Sequence, residues 1–313
     1  MAVGVRLAAV GGAVGVLAAA ALAPWLKFVL TVALAKGLAV MGILLLLRAG
    51  QVSFGHALYM AIGAYTVAFL RPAVSELLVL VGAAAAVALS VGVAIGLFVA
   101  RYRDIFFGML NLAFSMVFHS LLEKLYAITK GTDGIRVLRP TIAGLALDRV
   151  PYEWTVLGFS LAAALGLGWL AARFLLSPVG QALAAIKTRE TRLEFAGLSA
   201  RNVLLVAYAA SAALGGLAGG LVACTTLHVT PHLAYWTQSG ELVFIAILGG
   251  GGSIVGPYLG AIVYELVRVY AAAALPDAWQ MVLGAVLLGI ILFASRGLWG
   301  LYEDLLVRRR ARA

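Results

Sequence analysis

Residues 77–100 read LLVLVGAAAAVALSVGVAIGLFVA, and Ser90 is the only polar side chain among them. About 20 such residues suffice to cross the hydrocarbon of a bilayer. Lipid offers open backbone groups no partner, so a run of this kind is stable only as a helix. The pattern recurs along the chain. Spans are expected near 7–23, 26–47, 54–70, 77–100, 105–127, 154–176, 203–224, 238–250, 257–274 and 279–296. Hydrophobic types make up 64% of the sequence and charged types 12%, against roughly 45–50% and about 25% in soluble domains. The fold class is therefore all-α, a polytopic transmembrane helix bundle of about ten spans over one domain, 1–313. Eight spans, with 238–274 partly re-entrant, is the alternative. The first run mimics a secretory signal, with Arg6 before it and Ala-Leu-Ala after it. Pro24 follows at once, which suits cleavage badly, and the run is long enough to span, so a retained first helix is expected.

The formal charge is +10, which in a soluble protein would suggest nucleic acid. Here the basic residues crowd the short links, so they read as orientation signals and no nucleic-acid partner is expected. Arg6, Arg48, Arg101, Arg103, Arg173, Lys187, Arg189, Arg192, Arg201, Arg296 and the C-terminal arginines all fall on one side. That side is expected to be cytoplasmic, with both termini inside and an external loop at 128–153. Cys224, the one cysteine, sits in an apolar run, so neither a disulfide framework nor a Cys-based metal site is expected. The sequence holds no GxxxxGK[ST], so ATP-driven work would need a partner.

Two stretches interrupt the apolar pattern. AGQVSFGH, residues 49–56, sets Gln51, Ser53 and His56 between two glycines inside lipid-like sequence. Polar groups there are costly unless paired, and irregular backbone at membrane depth survives only against protein or water. Either the stretch belongs to a translocation path or gate, or it is a polar hairpin at the surface. The second break is ILGGGGSIVGPYLGA, residues 247–261, where Pro257 suits a fresh helix start. Broken helices are thus expected near 50–56 and 249–257. Paired interruptions in the two halves of a membrane chain point toward a transport site.

Asn111, Ser115, His119 and Glu123 recur every four residues, a stripe that turns by only about 40° per step on a helix. It either lines a pore or makes interhelical hydrogen bonds. Glu265 and Arg268 read as an i,i+3 pair, and Lys36 either snorkels or pairs with an acid on a neighbouring helix. Glycines four apart, such as Gly215 with Gly219 and Gly216 with Gly220, let membrane helices approach closely. Residues 177–201, from Ser177 and Pro178 through Gly197, read as one short amphipathic helix of mixed charge ending at Gly197. That suits a groove on a protein partner better than a lipid surface; an ordinary surface helix is the plainer alternative.

Taken together, four stretches resemble one family. GQVSFGHALYMAIGAYTVAFL resembles the first signature block of the branched-chain amino-acid ABC transporter permeases, and GTDGI their LivM-type outer-loop block. AIKTRETRLEFAGLSARN resembles their cytoplasmic coupling loop, and ELVFIAILGGGGSIVGPYLGA their last block. Arg192, Phe195 and the run of four glycines depart from the usual pattern. The resemblance implies a non-enzymatic inner-membrane importer subunit with no cofactor. Its implied partners are ABC ATPase subunits, a second homologous permease, a periplasmic or extracellular solute-binding protein and membrane lipid. It implies ATPase contact at Glu190, Glu194, Ala196 and Gly197, and imports of leucine, isoleucine, valine or related small solutes. Candidate path residues are Gln51, Ser53, His56, Asn111, Ser115, His119, Gly250 and Ser253. The alternative function is an ion-coupled secondary transporter of small organic solutes using Glu265, Lys36 and Glu123.

Overall fold

The computed structural model describes residues 2–293 and 296–302. Each expected span is a helix: α1 (Ala2–Leu22), α2 (Leu26–Arg48), α3 (His56–Leu70), α4 (Leu77–Val99), α5 (Asp104–Lys124), α7 (Arg149–Leu176), α9 (Ala200–Thr226), α10 (Trp236–Gly249), α11 (Gly256–Ala274) and α12 (Trp279–Phe293). A short α6 (Tyr126–Thr129) follows α5, and α8 (Pro178–Phe195) lies between α7 and α9. Five of them, α2, α4, α5, α7 and α9, are long and apolar enough to cross a membrane; α3, Ala9–Leu22 of α1 and Trp279–Ile290 of α12 are shorter apolar helical stretches. The C-terminal arginines lie outside the described residues.

Helix α2 is the hub. Its whole apolar window is buried inside the chain, and it packs on α7, α9, α10 and α11. Helix α9 is the second hub, against α2, α3 and α4. Helices gain nothing from water exclusion in lipid, so close approach has to supply the attraction. The glycine pairs of α9 do this on two faces. A Cβ on Gly219 would run into the Met60 carbonyl oxygen of α3, and one on Gly216 would lie 2.6 Å from the Ala84 carbonyl oxygen of α4. Gly11 and Gly15 of α1, by contrast, have open space around them.

Outward faces of α4, α5 and α7 carry exposed Leu78, Val93, Ile105, Phe106, Val117 and Leu170. Such broad apolar surface is a liability in water and the expected surface in lipid. At one end of the bundle a two-stranded antiparallel ribbon joins β1 (Ile135–Arg136) to β2 (His228–Val229), with Ile135 opposite Val229. Lys27 and Glu153 pair at that same end, 3.2 Å apart. The opposite end holds α8 and both chain breaks.

Candidate coupling and translocation site

The first break is a folded element. Helix α2 ends as Ala49 and Gly50 donate back to Leu46 and Leu47, and Gly50 turns with φ +76°, a conformation that glycine adopts without strain. Residues 51–55 are non-helical and α3 starts at His56. Every polar side chain of the stretch is buried. Gln51 Oε1 accepts from the Asp104 amide at 2.7 Å, at the start of α5. Ser53 Oγ accepts from the Gly55 amide. His56 Nε2 and Ser211 Oγ of α9 lie 2.5 Å apart. The Ala57 amide donates to Ser239 Oγ of α10 at 3.0 Å, giving the open N-terminus of α3 an acceptor from another helix. The backbone also nears α5: a Cβ on Gly55 would lie 2.7 Å from the Asn111 carbonyl oxygen. The stretch is thus an internal helix break rather than a surface hairpin.

The stripe on α5 splits. Asn111 joins a buried chain in which Tyr59 donates to Tyr208 at 2.7 Å and Tyr208 donates to Asn111 Oδ1. Ser115 donates to the Ala234 carbonyl at 2.8 Å, and His119 Nδ1 to the Pro231 carbonyl at 3.0 Å. These three members make the interhelical bonds that the sequence offered as one of two readings. Ser115 and His119 pin residues 231–234, which lead into α10, along the inner side of α5. Glu123 stays outside, beside a cleft of about 360 Å³ shared with His119, His232 and Tyr235.

The second break, Gly250 to Val255, closes a tight hairpin between α10 and α11. Gly250 turns with φ +84°, and a Cβ there would meet the Arg296 carbonyl. Ser253 Oγ accepts from the Val255 amide at 3.3 Å. A Cβ on Gly251 would stand 3.7 Å from the Leu44 side chain of α2. Both breaks therefore sit around the C-terminal end of α2, though Gly250 and Ser253 bond within their own hairpin.

Helix α8 grips the first break. Ser177 caps it by accepting from the Gly180 amide, and Pro178 begins it. Its buried face is Ala182, Leu183, Ile186 and Leu193. The helix ends at Phe195, closed by Gly197 at φ +81° in the turn that follows, as the sequence leads one to expect. The expectation of a single unbroken helix is corrected, because Arg189 kinks it at φ −156°. Glu190, one of the expected ATPase contacts, is half-buried and turns toward Arg103. Its carboxylate takes both arms of Arg103, at 2.9 and 2.7 Å, the bidentate geometry that suits guanidinium. Arg103 adjoins Asp104, whose amide Gln51 holds, and the Lys187 side chain packs on Gly50. Glu194, Ala196 and Gly197 remain exposed, beside a Phe195 that is 92% exposed.

A charged cluster lies at mid-depth. Lys36 is ten residues past Leu26 and twelve short of Arg48 on α2. Its Nζ lies 2.5 Å from Glu241 Oε1 of α10 and 2.5 Å from Glu265 Oε1 of α11. Arg268 Nη1 is 3.3 Å from Glu265 and 3.8 Å from Glu241. The Glu265–Arg268 pair is present as expected, within a set of four. Sequence reasoning missed Glu241, although an acid inside a short apolar helix is a signal, because such a charge needs a partner.

A family model described as the branched-chain amino acid transport system / permease component matches residues 25–291. Over 278 residues the chain is 29% identical to the high-affinity branched-chain amino acid transport system permease protein LivM of Escherichia coli (strain K12), covering 80% of this chain and 64% of that protein. The protein of the same name from Salmonella typhimurium (strain LT2) is 28% identical over the same shares. The chain thus spans 64% of the length of these curated relatives. No solved structure matches it. On the extent of the family match, this chain belongs to the branched-chain amino acid transport system permease component family.

Proposed function

We propose that the chain is the transmembrane permease subunit of an ATP-driven importer in the cell's inner membrane. It translocates leucine, isoleucine, valine or related small solutes handed over by a periplasmic or extracellular binding protein. The relatives' names support the solute class. A second, homologous permease completes the membrane unit, and separate ABC ATPase subunits hydrolyse ATP. The α8 end faces the cytoplasm, both termini lie on that side, and 128–153 lies outside. The basic links support this orientation.

The observation that carries the proposal is the pairing of an exposed tip with an internal grip on α8. The Glu194–Gly197 turn and Phe195 form a protruding anchor of the kind that docks into a partner's groove. Behind it, Glu190 holds Arg103, and Lys187 packs against Gly50. A shift of α8 by an ATPase subunit therefore pulls on the N-terminus of α5, on Gln51 and on the start of α3. The path candidates act through this linkage: Gln51, Ser53, His56, Asn111, Ser115 and His119 hold the broken helices that rearrange, and Gly250 and Ser253 form the opposing hinge.

The test is purification of the chain from its native membrane in mild detergent, with bound proteins identified by mass spectrometry. A P-loop ATPase and a second permease are expected. A chain that emerges alone and transports in liposomes without ATP would sink the proposal in favour of an ion-coupled carrier.

A further inference from the structure

A charged side chain at mid-depth is costly unless it faces protein or water. Lys36, Glu241 and Glu265 meet that demand by burial and mutual pairing. Arg268 does not. Its side chain is 42% exposed, and only Nη1 bonds within the cluster, leaving Nε and Nη2 with no described partner. It shares a face of α11 with buried Ala261, Tyr264 and Ala271, so this open edge belongs to the cluster rather than to the helix's outer side. Next to Glu241, Gly240 has open space where a Cβ would stand. One turn further along α10, Phe244 is 46% exposed.

We propose that this cluster is a solute site for small zwitterionic acids, in which the free edge of Arg268 takes the carboxylate. The planar guanidinium suits a carboxylate, and its position is fixed by Glu265. Two cations and two anions make the cluster neutral, so a zwitterion binds without leaving net charge in hydrocarbon, whereas a simple anion would leave one. Glu241 is the acceptor beside the open space for the solute's ammonium, and Phe244 offers an apolar wall for its side chain. This inference rests on the importer reading above.

The test uses the complete transporter in proteoliposomes with its binding protein and L-leucine, comparing wild type, Arg268→Gln and Arg268→Lys. Arg268→Gln is expected to lose at least tenfold of leucine uptake while its subunits still co-purify. Arg268→Lys keeps the charge but loses the fork, and is expected to raise KM severalfold at near-normal maximal rate. This second variant decides the matter if Arg268→Gln fails to insert. Unchanged uptake in Arg268→Gln, or unchanged KM in Arg268→Lys, overturns the site. So does a complex that loses its second permease on substitution, which would make Arg268 a subunit contact. Failure of the importer reading shows differently: the wild type itself would take up no leucine with ATP.

Discussion

At Gly250 the backbone has φ +84° and lies against the Arg296 carbonyl, so a Gly250→Ala substitution meets a conformational penalty and a clash together. A cost of about 1–3 kcal/mol is expected, read as a lower melting temperature of the detergent-solubilised chain. Glu190 is a case where burial sets the magnitude. Its pair with Arg103 is bidentate, but the side chains are 33% and 21% exposed, so solvent screening reduces it to about 1 kcal/mol. Glu190→Gln should therefore leave the fold intact. If α8 drives the first break through this pair, uptake per ATP hydrolysed should fall by roughly fivefold, the factor corresponding to about 1 kcal/mol. An unchanged ratio would show that the pair carries no coupling.

Among the elements, α9 and α8 make opposite demands. Helix α9 works by close approach, so side chains on its glycine faces are harmful. Gly219→Val is expected to abolish the folded peak in size-exclusion chromatography, because its Cβ alone would strike the Met60 carbonyl of α3. Gly15→Val, with open space around it, should change stability by no more than about 0.5 kcal/mol. On the proposed docking, helix α8 works by protrusion. Phe195→Ala and Gly197→Asp should insert normally yet retain less ATPase subunit on affinity purification, the second also straining a turn at φ +81°. Normal ATP-driven uptake by Gly197→Asp would count against docking at this tip.

For the molecule as a whole, the two ends of the bundle differ in kind. One end carries the ribbon, Lys27 with Glu153, and the 128–153 loop; the other carries α8 and both breaks. Cys224 is fully buried, so a membrane-impermeant maleimide should not label the parent chain. Single reporters then give the direction. Asp133→Cys should label in intact cells and Phe195→Cys only after the membrane is opened; the reverse result would invert the proposed topology.

Helix positions were legible in the sequence because lipid imposes a nearly one-dimensional rule: apolar runs of spanning length must be helical, and glycine or proline marks where they stop. The break at 50–56, the hairpin near 250, the apolar face of α8 and the glycine seams of α9 all follow from local pattern. The partners of the polar residues do not. Lys36 finds Glu241 205 residues away, His56 finds Ser211 155 away, and Gln51 finds Asp104 53 away. Amphipathic pattern told that Glu190 was polar, but only the kink at Arg189 and the approach of α5 turned it inward to Arg103. Those contacts depend on which helices lie side by side and at what depth. That is decided by how small residues let α2, α3, α4 and α9 close on one another in three dimensions, a property no single segment contains.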